Sequence, residues 1–308
     1  MPLDPYLAPR AEALRGLEDV WTNPQASAAL QLWSEDPGTW AVPSGVDILD
    51  RTIAGPHGSI PVRVYSRSDR TSVGTLLWAH GGGFTAGDID MLEAHVPSSE
   101  LCARTGFTVV SVDYRLANGG VRYPVPLDDM YAAWLWASTQ GGPEGRAAIG
   151  GASAGAALSL GASMRARDDG NRVPDALLLA YPFAHFPAAA PTDEVAAELA
   201  ALPSAIRVSP IFLESIVLNY VGRISGVPVL AAPGAGDLRA MPPAHIIVSE
   251  LDDLRASGEM LARQMRDAGG SADLYLAHGM PHGHLDRQTS LAEVDRSLDY
   301  FAEALRGI

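Results

Sequence analysis

Short apolar runs at 75–79, 107–112, 147–150, 176–181, 244–249 and 272–277 recur through this chain, and helical patterns separate most of them. A strand that is apolar at nearly every position is buried on both faces. Joining such strands through helices calls for a mainly parallel sheet with a helical layer on each side. The expected architecture is therefore α/β. A length of 308 residues would permit two domains, but the unbroken alternation argues for one domain over 1–308. Ahead of the runs, Val46 to Ile53 and Ile60 to Tyr65 alternate or nearly alternate apolar and polar residues, joined by Gly55-Pro56-His57-Gly58. That is the pattern of an antiparallel hairpin at a sheet edge. Leu7 to Val20 and Pro24 to Trp33 read as two short amphipathic helices, ended by Asp36-Pro37-Gly38. The interval 183–238 interrupts the strand rhythm with an Ala/Pro run, a helix from Thr192 to Leu202 capped by Thr192, and an apolar helix from Pro210 to Tyr220.

Within this frame, Gly151-Ala152-Ser153-Ala154-Gly155 falls between the strand of Ala147 to Ile149 and a helix of small and apolar residues, Ala156 to Arg167. A serine on such a strand-to-helix turn is held in a strained backbone with its hydroxyl presented outward, and the flanking glycines let neighbouring segments approach closely. A serine nucleophile needs a base, a group to orient the base, and donors for the oxyanion. The strand at 75–79 runs into His80-Gly81-Gly82-Gly83-Phe84, whose glycines leave backbone N–H groups uncovered. Glu250-Leu251-Asp252-Asp253-Leu254 follows the strand at 244–249, and the loop His278-Gly279-Met280-Pro281-His282-Gly283-His284 follows that at 272–277. The order is glycine loop, serine, acid, histidine, which is the order of α/β-hydrolases and differs from those of chymotrypsin and subtilisin.

These segments, with Asp113-Tyr114-Arg115-Leu116, Tyr181-Pro182 and His282-Gly283, resemble the hormone-sensitive-lipase-like carboxylesterases, a branch of the α/β-hydrolases, from about Val62 onward. The resemblance implies an α/β-hydrolase fold, with Ser153 as nucleophile, His282 as general base and acid, and Asp252 as orienting carboxylate. It implies an oxyanion hole made by the N–H groups of Gly82, Gly83 and Ala154, with His80 and Gly81 shaping the loop. It further implies a cap from about 1–42 and 183–238 over a core of about 43–182 and 239–308, and it suggests a homodimer through an exposed sheet edge. The implied activity is hydrolysis of small or short-chain acyl esters through an acyl-enzyme. A lactonase or amidase would use the same residues, and a non-catalytic small-ligand receptor is the reading from another class.

Several positions depart from the family pattern. Ala152 stands where an acidic residue usually precedes the serine, and Ala156 replaces the usual glycine after the motif. Asp253 takes the place of a common proline and sets a second carboxylate beside Asp252. His284 stands where an aromatic residue is usual and adds a titratable group near the site. Trp21, Trp33, Trp40, Phe212 and Tyr220 are candidates to line the acyl pocket or to anchor the cap, with packing the expected task for most.

Composition excludes other chemistries. The formal charge is −14 with no basic cluster, so nucleic acid is not an expected partner. All 22 basic residues are arginine, which removes Ser–Lys dyads, P-loop lysines and Schiff bases. His278, His282 and His284 invite comparison with a metal site, but a triad already accounts for His282, and neither metal nor cofactor is expected. Cys102 is the only cysteine, and the first ten residues carry no positive start followed by an apolar run. A cytoplasmic protein with no membrane association is expected, acting on a small-molecule ester.

Overall fold

Eight strands hydrogen-bond into one sheet in the computed structural model, which describes residues 2–17, 26–140 and 145–308. They are β1 (Val46–Ile53), β2 (Ile60–Arg67), β3 (Gly74–Ala79), β4 (Thr108–Val112), β5 (Arg146–Ala152), β6 (Ala176–Ala180), β7 (Ala244–Leu251) and β8 (Ala272–Pro281). Their spatial order is β1-β2-β4-β3-β5-β6-β7-β8. The β1–β2 hairpin is antiparallel, and β2 joins β4 antiparallel. Every pairing from β4 through β8 is parallel. The expected hairpin thus forms one edge, and each predicted apolar run is a strand of the parallel part.

The helices divide between the two faces because successive strand residues point to opposite sides. Leu77, Leu179 and Ile246 join one buried cluster with Leu158 and Leu261, which belong to α5 (Ala154–Asp168) and α8 (Arg255–Asp267). Trp134 of α4 (Val125–Ala137) belongs to the same cluster. Leu76, Trp78 and Leu178 join the opposite cluster with Leu101 of α3 (Leu92–Thr105) and Phe301 of α9 (Ala292–Arg306). Covering both faces is what makes each strand apolar at nearly every position, since a fully buried Leu or Phe side chain contributes about 1.5–3 kcal/mol.

The N-terminal segment departs from expectation. Its first helix, α1, covers only Ala8–Glu12, followed by turns that reach Gly16 at φ 76°. The helix gives way at Ala13 to tighter turns in which Leu14, Arg15 and Leu17 each donate to the carbonyl three residues back, so the amphipathic pattern running to Val20 overstated the length of regular helix. Residues 18–25, including Trp21, lie outside the described residues. The second helix, α2, covers Ser27–Ser34. In the interval 183–238, α6 (Asp193–Ala200) begins at Thr192, whose side chain accepts the Val195 N–H as foreseen. Then α7 (Pro210–Val221) is capped by Ser209 and stopped by Gly222 at φ 85°. Among the described residues no helix is long and apolar enough to cross a membrane.

Candidate active site

Ser153 lies at the junction of β5 and α5 with φ 51° and ψ −113°, a conformation that costs a non-glycine residue about 1–3 kcal/mol. The turn is held by the Ser153 N–H donating to Ala180 O at 2.9 Å, and by close contact with the end of β3. A Cβ on Gly151 would stand 2.6 Å from Ala79 O, and one on Gly155 would overlap the carbonyls of Ala79 and His80. These contacts, rather than any general flexibility, are what the two glycines of the pentapeptide permit.

The structure brings the separated candidates together. The Ser153 hydroxyl is 2.9 Å from His282 Nε2, and His282 Nδ1 is 2.8 Å from Asp252 Oδ2. The other Asp252 oxygen accepts the Leu254 N–H at 2.9 Å, which fixes the carboxylate at the end of β7. Its adjacent carboxylate has a different task. Asp253 accepts from Arg207 at 2.5 Å and from the Val208 N–H at 3.0 Å, tying the 183–238 interval to the end of β7. Burial opposes protonation of His282, but the charge of Asp252 and its hydrogen bond outweigh that, helped by Glu93 and Asp253, and hold the imidazole above its ordinary pKa.

The glycine loop follows β3 in an unusual backbone, with Gly82, Gly83 and Phe84 at φ 85°, 59° and 64°. No hydrogen bond among the described residues uses the N–H groups of Gly82, Gly83 or Ala154, and all three residues line the same cavity as Ser153 and His282. His80 shapes the loop from inside the protein. It is fully buried, its Nδ1 is 3.0 Å from Gly81 O, and burial lowers its pKa to about 4. Tyr114 stacks on it with ring centroids 4.4 Å apart and donates to the carbonyls of His80 at 2.9 Å and Gly81 at 2.8 Å. The neighbouring Arg115 pairs with buried Asp129 at 2.6 Å and donates to Ser59 O at 2.9 Å. Tyr114 thus braces the glycine loop and Arg115 ties the same segment to α4 and the start of β2, roles the sequence did not declare.

The cavity has a volume of about 860 Å³ and is walled mainly by apolar side chains. Leu30 and Trp33 reach it from α2, Phe212, Leu213 and Ile216 from α7, and Phe183 from the segment after β6. Trp33 and Phe212 therefore line the pocket. Tyr220 packs beneath it, stacked on Phe84 at 3.9 Å, and Trp40 donates to Glu100 Oε1 at 2.7 Å, away from the cavity wall. Arg287 follows the histidine loop and holds the N-terminal segment by donating to Trp33 O at 2.6 Å and Asp36 Oδ1 at 3.1 Å.

The three histidines of the 278–284 loop do not converge. His278 is largely exposed beside Glu250, whereas His284 is buried between the hydroxyls of Ser249 and Ser297 at 2.9 and 3.0 Å. Burial, together with the charge of His282, lowers the His284 pKa to about 3, so the histidine expected to add a titratable group stays neutral. Among the described residues no group of three or more His, Cys, Asp or Glu side chains is arranged to hold a metal ion. Sequence reasoning also passed over Glu93, a buried carboxylate that lines the same cavity from the first turn of α3.

Known proteins resemble this chain in both sequence and fold. The family described as having the alpha/beta hydrolase fold matches residues 76–286. The carboxylic ester hydrolase LipN of Mycobacterium tuberculosis is 33% identical over 256 residues, 78% of this chain and 65% of that protein's length. The carboxylesterase NlhH of the same organism is 32% identical over 251 residues, covering 78% and 76%. A hyperthermophilic esterase from the archaeon Pyrobaculum calidifontis has a similar structure, with a TM-score of 0.79 at 28% identity over 100% of this chain and 99% of that one. With its parallel sheet, glycine loop and serine elbow, the chain belongs to the hormone-sensitive-lipase-like carboxylesterase family of the α/β-hydrolase superfamily.

Proposed function

We propose that the chain hydrolyses carboxylic esters of small or short acyl groups through an acyl-enzyme on Ser153, beneath a cap formed by about 1–42 and 183–238. The observation that carries the reading is the chain of contacts from Ser153 through His282 to Asp252, at 2.9 and 2.8 Å, beside three N–H groups without protein partners. His282 takes the serine proton as Oγ bonds to the ester carbonyl carbon, and Asp252 stabilises the imidazolium. The carbonyl oxygen gains negative charge and moves toward the N–H groups of Gly82, Gly83 and Ala154, donors already in place and needing little reorganisation. Collapse breaks the carbon–oxygen bond to the alcohol, whose oxygen receives the proton from His282. Water, activated by the same imidazole, then attacks the acyl-enzyme and regenerates Ser153.

The apolar cavity supports uncharged acyl and alcohol groups, and its walls from α2 and α7 support the cap assignment. An intact hydrogen-bonded series favours catalysis over a receptor role. The test is turnover of p-nitrophenyl esters of increasing chain length, together with lactones and amides, with Ser153→Ala as control. Ester turnover abolished by Ser153→Ala, and highest for short acyl chains, is expected. Absent ester turnover, or turnover indifferent to Ser153→Ala, refutes the reading.

A further inference from the structure

We propose that Glu93 is a positioning residue for ester hydrolysis, its carboxylate joining the backbone of the oxyanion loop to the tyrosine against which the His282 ring rests. This rests on the triad reading above and extends it to a residue outside the triad. Glu93 is 3% exposed. Its Oε2 accepts the Gly81 N–H at 2.7 Å, one residue before the first proposed oxyanion donor. Its Oε1 accepts the Tyr181 O–H at 2.6 Å. The Tyr181 and His282 rings meet in a T-shaped contact with centroids 5.0 Å apart, and the Tyr181 hydroxyl accepts the Leu285 N–H from the histidine loop at 3.2 Å. One carboxylate therefore links the loop that presents the N–H donors, directly at Gly81, to the loop that carries the base, through Tyr181.

The surroundings leave this carboxylate little freedom. The Glu93 backbone is fixed at both ends, its carbonyl accepting from Trp78 Nε1 at 2.9 Å and its N–H donating to Asp286 Oδ1 at 3.1 Å. A Cβ on Gly81 would overlap Glu93 Oε2 and lie 3.2 Å from Ser153 Cβ, so the carboxylate stands immediately behind the serine elbow. Ala152, the residue before the serine, offers no polar side chain there. A buried carboxylate is costly unless donors satisfy it, and here both donors belong to segments that shape the site. Burial pushes the Glu93 carboxyl above its ordinary range, while the Tyr181 and Gly81 donors and the nearby His282 pull it back.

Glu93→Gln tests the inference while keeping the shape. An amide is uncharged, so neither link keeps its charge-assisted strength, and its NH2 meets Tyr181 only by donating to a hydroxyl that must then turn its own proton away. Misplacement by part of an ångström falls short of deleting an oxyanion donor, which costs about 10²–10³. The expected result is kcat lowered about 10- to 100-fold, KM within about threefold, and a matching loss in affinity for a trifluoromethyl ketone that mimics the tetrahedral adduct. Tyr181→Phe removes one link and keeps the other, with an expected smaller fall in kcat of about 3- to 10-fold. A folded Glu93→Gln protein with kcat within threefold of wild type overturns the inference. If that variant does not fold, Tyr181→Phe with unchanged kcat does so. Both outcomes presuppose wild-type turnover that depends on Ser153, so loss of the triad reading shows separately in the wild-type and Ser153→Ala assays.

Discussion

Replacing Gly82 and Gly83 by alanine, one at a time, contrasts a backbone that cannot yield with a side chain that can. At Gly82, φ is 85° and an added Cβ would overlap the carbonyl oxygen of Ala86 and stand 2.6 Å from its carbon. The turn itself closes between the same two residues and Thr85, because the N–H groups of Thr85 and Ala86 donate to Gly82 O at 3.1 and 3.0 Å. Alanine there has to open the turn and carry the 82 N–H away from the oxyanion position. The expected loss in kcat/KM is that of a missing donor, about 10²–10³ or 2.7–4 kcal/mol. At Gly83, φ is 59° and the added Cβ meets Ile216 Cδ1 at 3.0 Å and Cγ1 at 3.1 Å. The left-handed backbone costs about 1–2 kcal/mol of stability, but Ile216 can change rotamer at about 0.5–1.5 kcal/mol. The expected rate loss is therefore only about 3- to 10-fold, and Ile216→Val, which removes Cδ1, should restore part of it. The assay is kcat/KM for p-nitrophenyl acetate, with melting temperatures measured alongside. Gly82→Ala retaining a rate within threefold of wild type, or proving less harmful than Gly83→Ala, would refute the oxyanion assignment.

The neighbouring carboxylates should separate cleanly. Asp252→Asn faces His282 with an amide and favours the wrong tautomer, and a loss of about 10⁴ in kcat is expected by the precedent of serine proteases. Asp253→Asn weakens the half-buried link to Arg207 and should lower stability by about 1–2 kcal/mol, read from denaturant unfolding, with kcat within about threefold. In the proposed mechanism His282 accepts the serine proton only when neutral, and its pKa is raised, so the acid limb of the kcat/KM profile should be centred above the ordinary value of 6.5. Activity is lost as pH falls through that midpoint. Asp253→Asn removes one of the charges that raise it and should move the limb to lower pH, whereas an unmoved limb would show that Asp253 does not act on His282.

Much of the architecture was legible before the tertiary structure. Continuous apolar runs read correctly as parallel strands because burial on both faces requires them, and the alternating β1 and β2 read correctly as an edge hairpin. Thr192 marked the start of α6 because a capping hydroxyl is a local feature. The helix drawn to Val20 was too long because amphipathic spacing does not tell a regular helix from the three-residue turns that follow Glu12.

The sequence by itself determined the chemical inventory of this protein: a serine between glycines at a strand–helix junction, a glycine loop, and an acid and a histidine in hydrolase order. Tertiary structure decided what distance and burial control. It set Asp252 on His282 and gave Asp253 to Arg207, a choice that two adjacent identical residues leave open in one dimension. It made His284 a neutral core residue by enclosing it between two serines. It also brought Glu93, 60 residues ahead of Ser153 in the chain by numbering, behind the elbow. No local pattern marks such a carboxylate, because its partners Gly81 and Tyr181, which follow β3 and β6, meet it only when the first turn of α3 is brought to them by the fold.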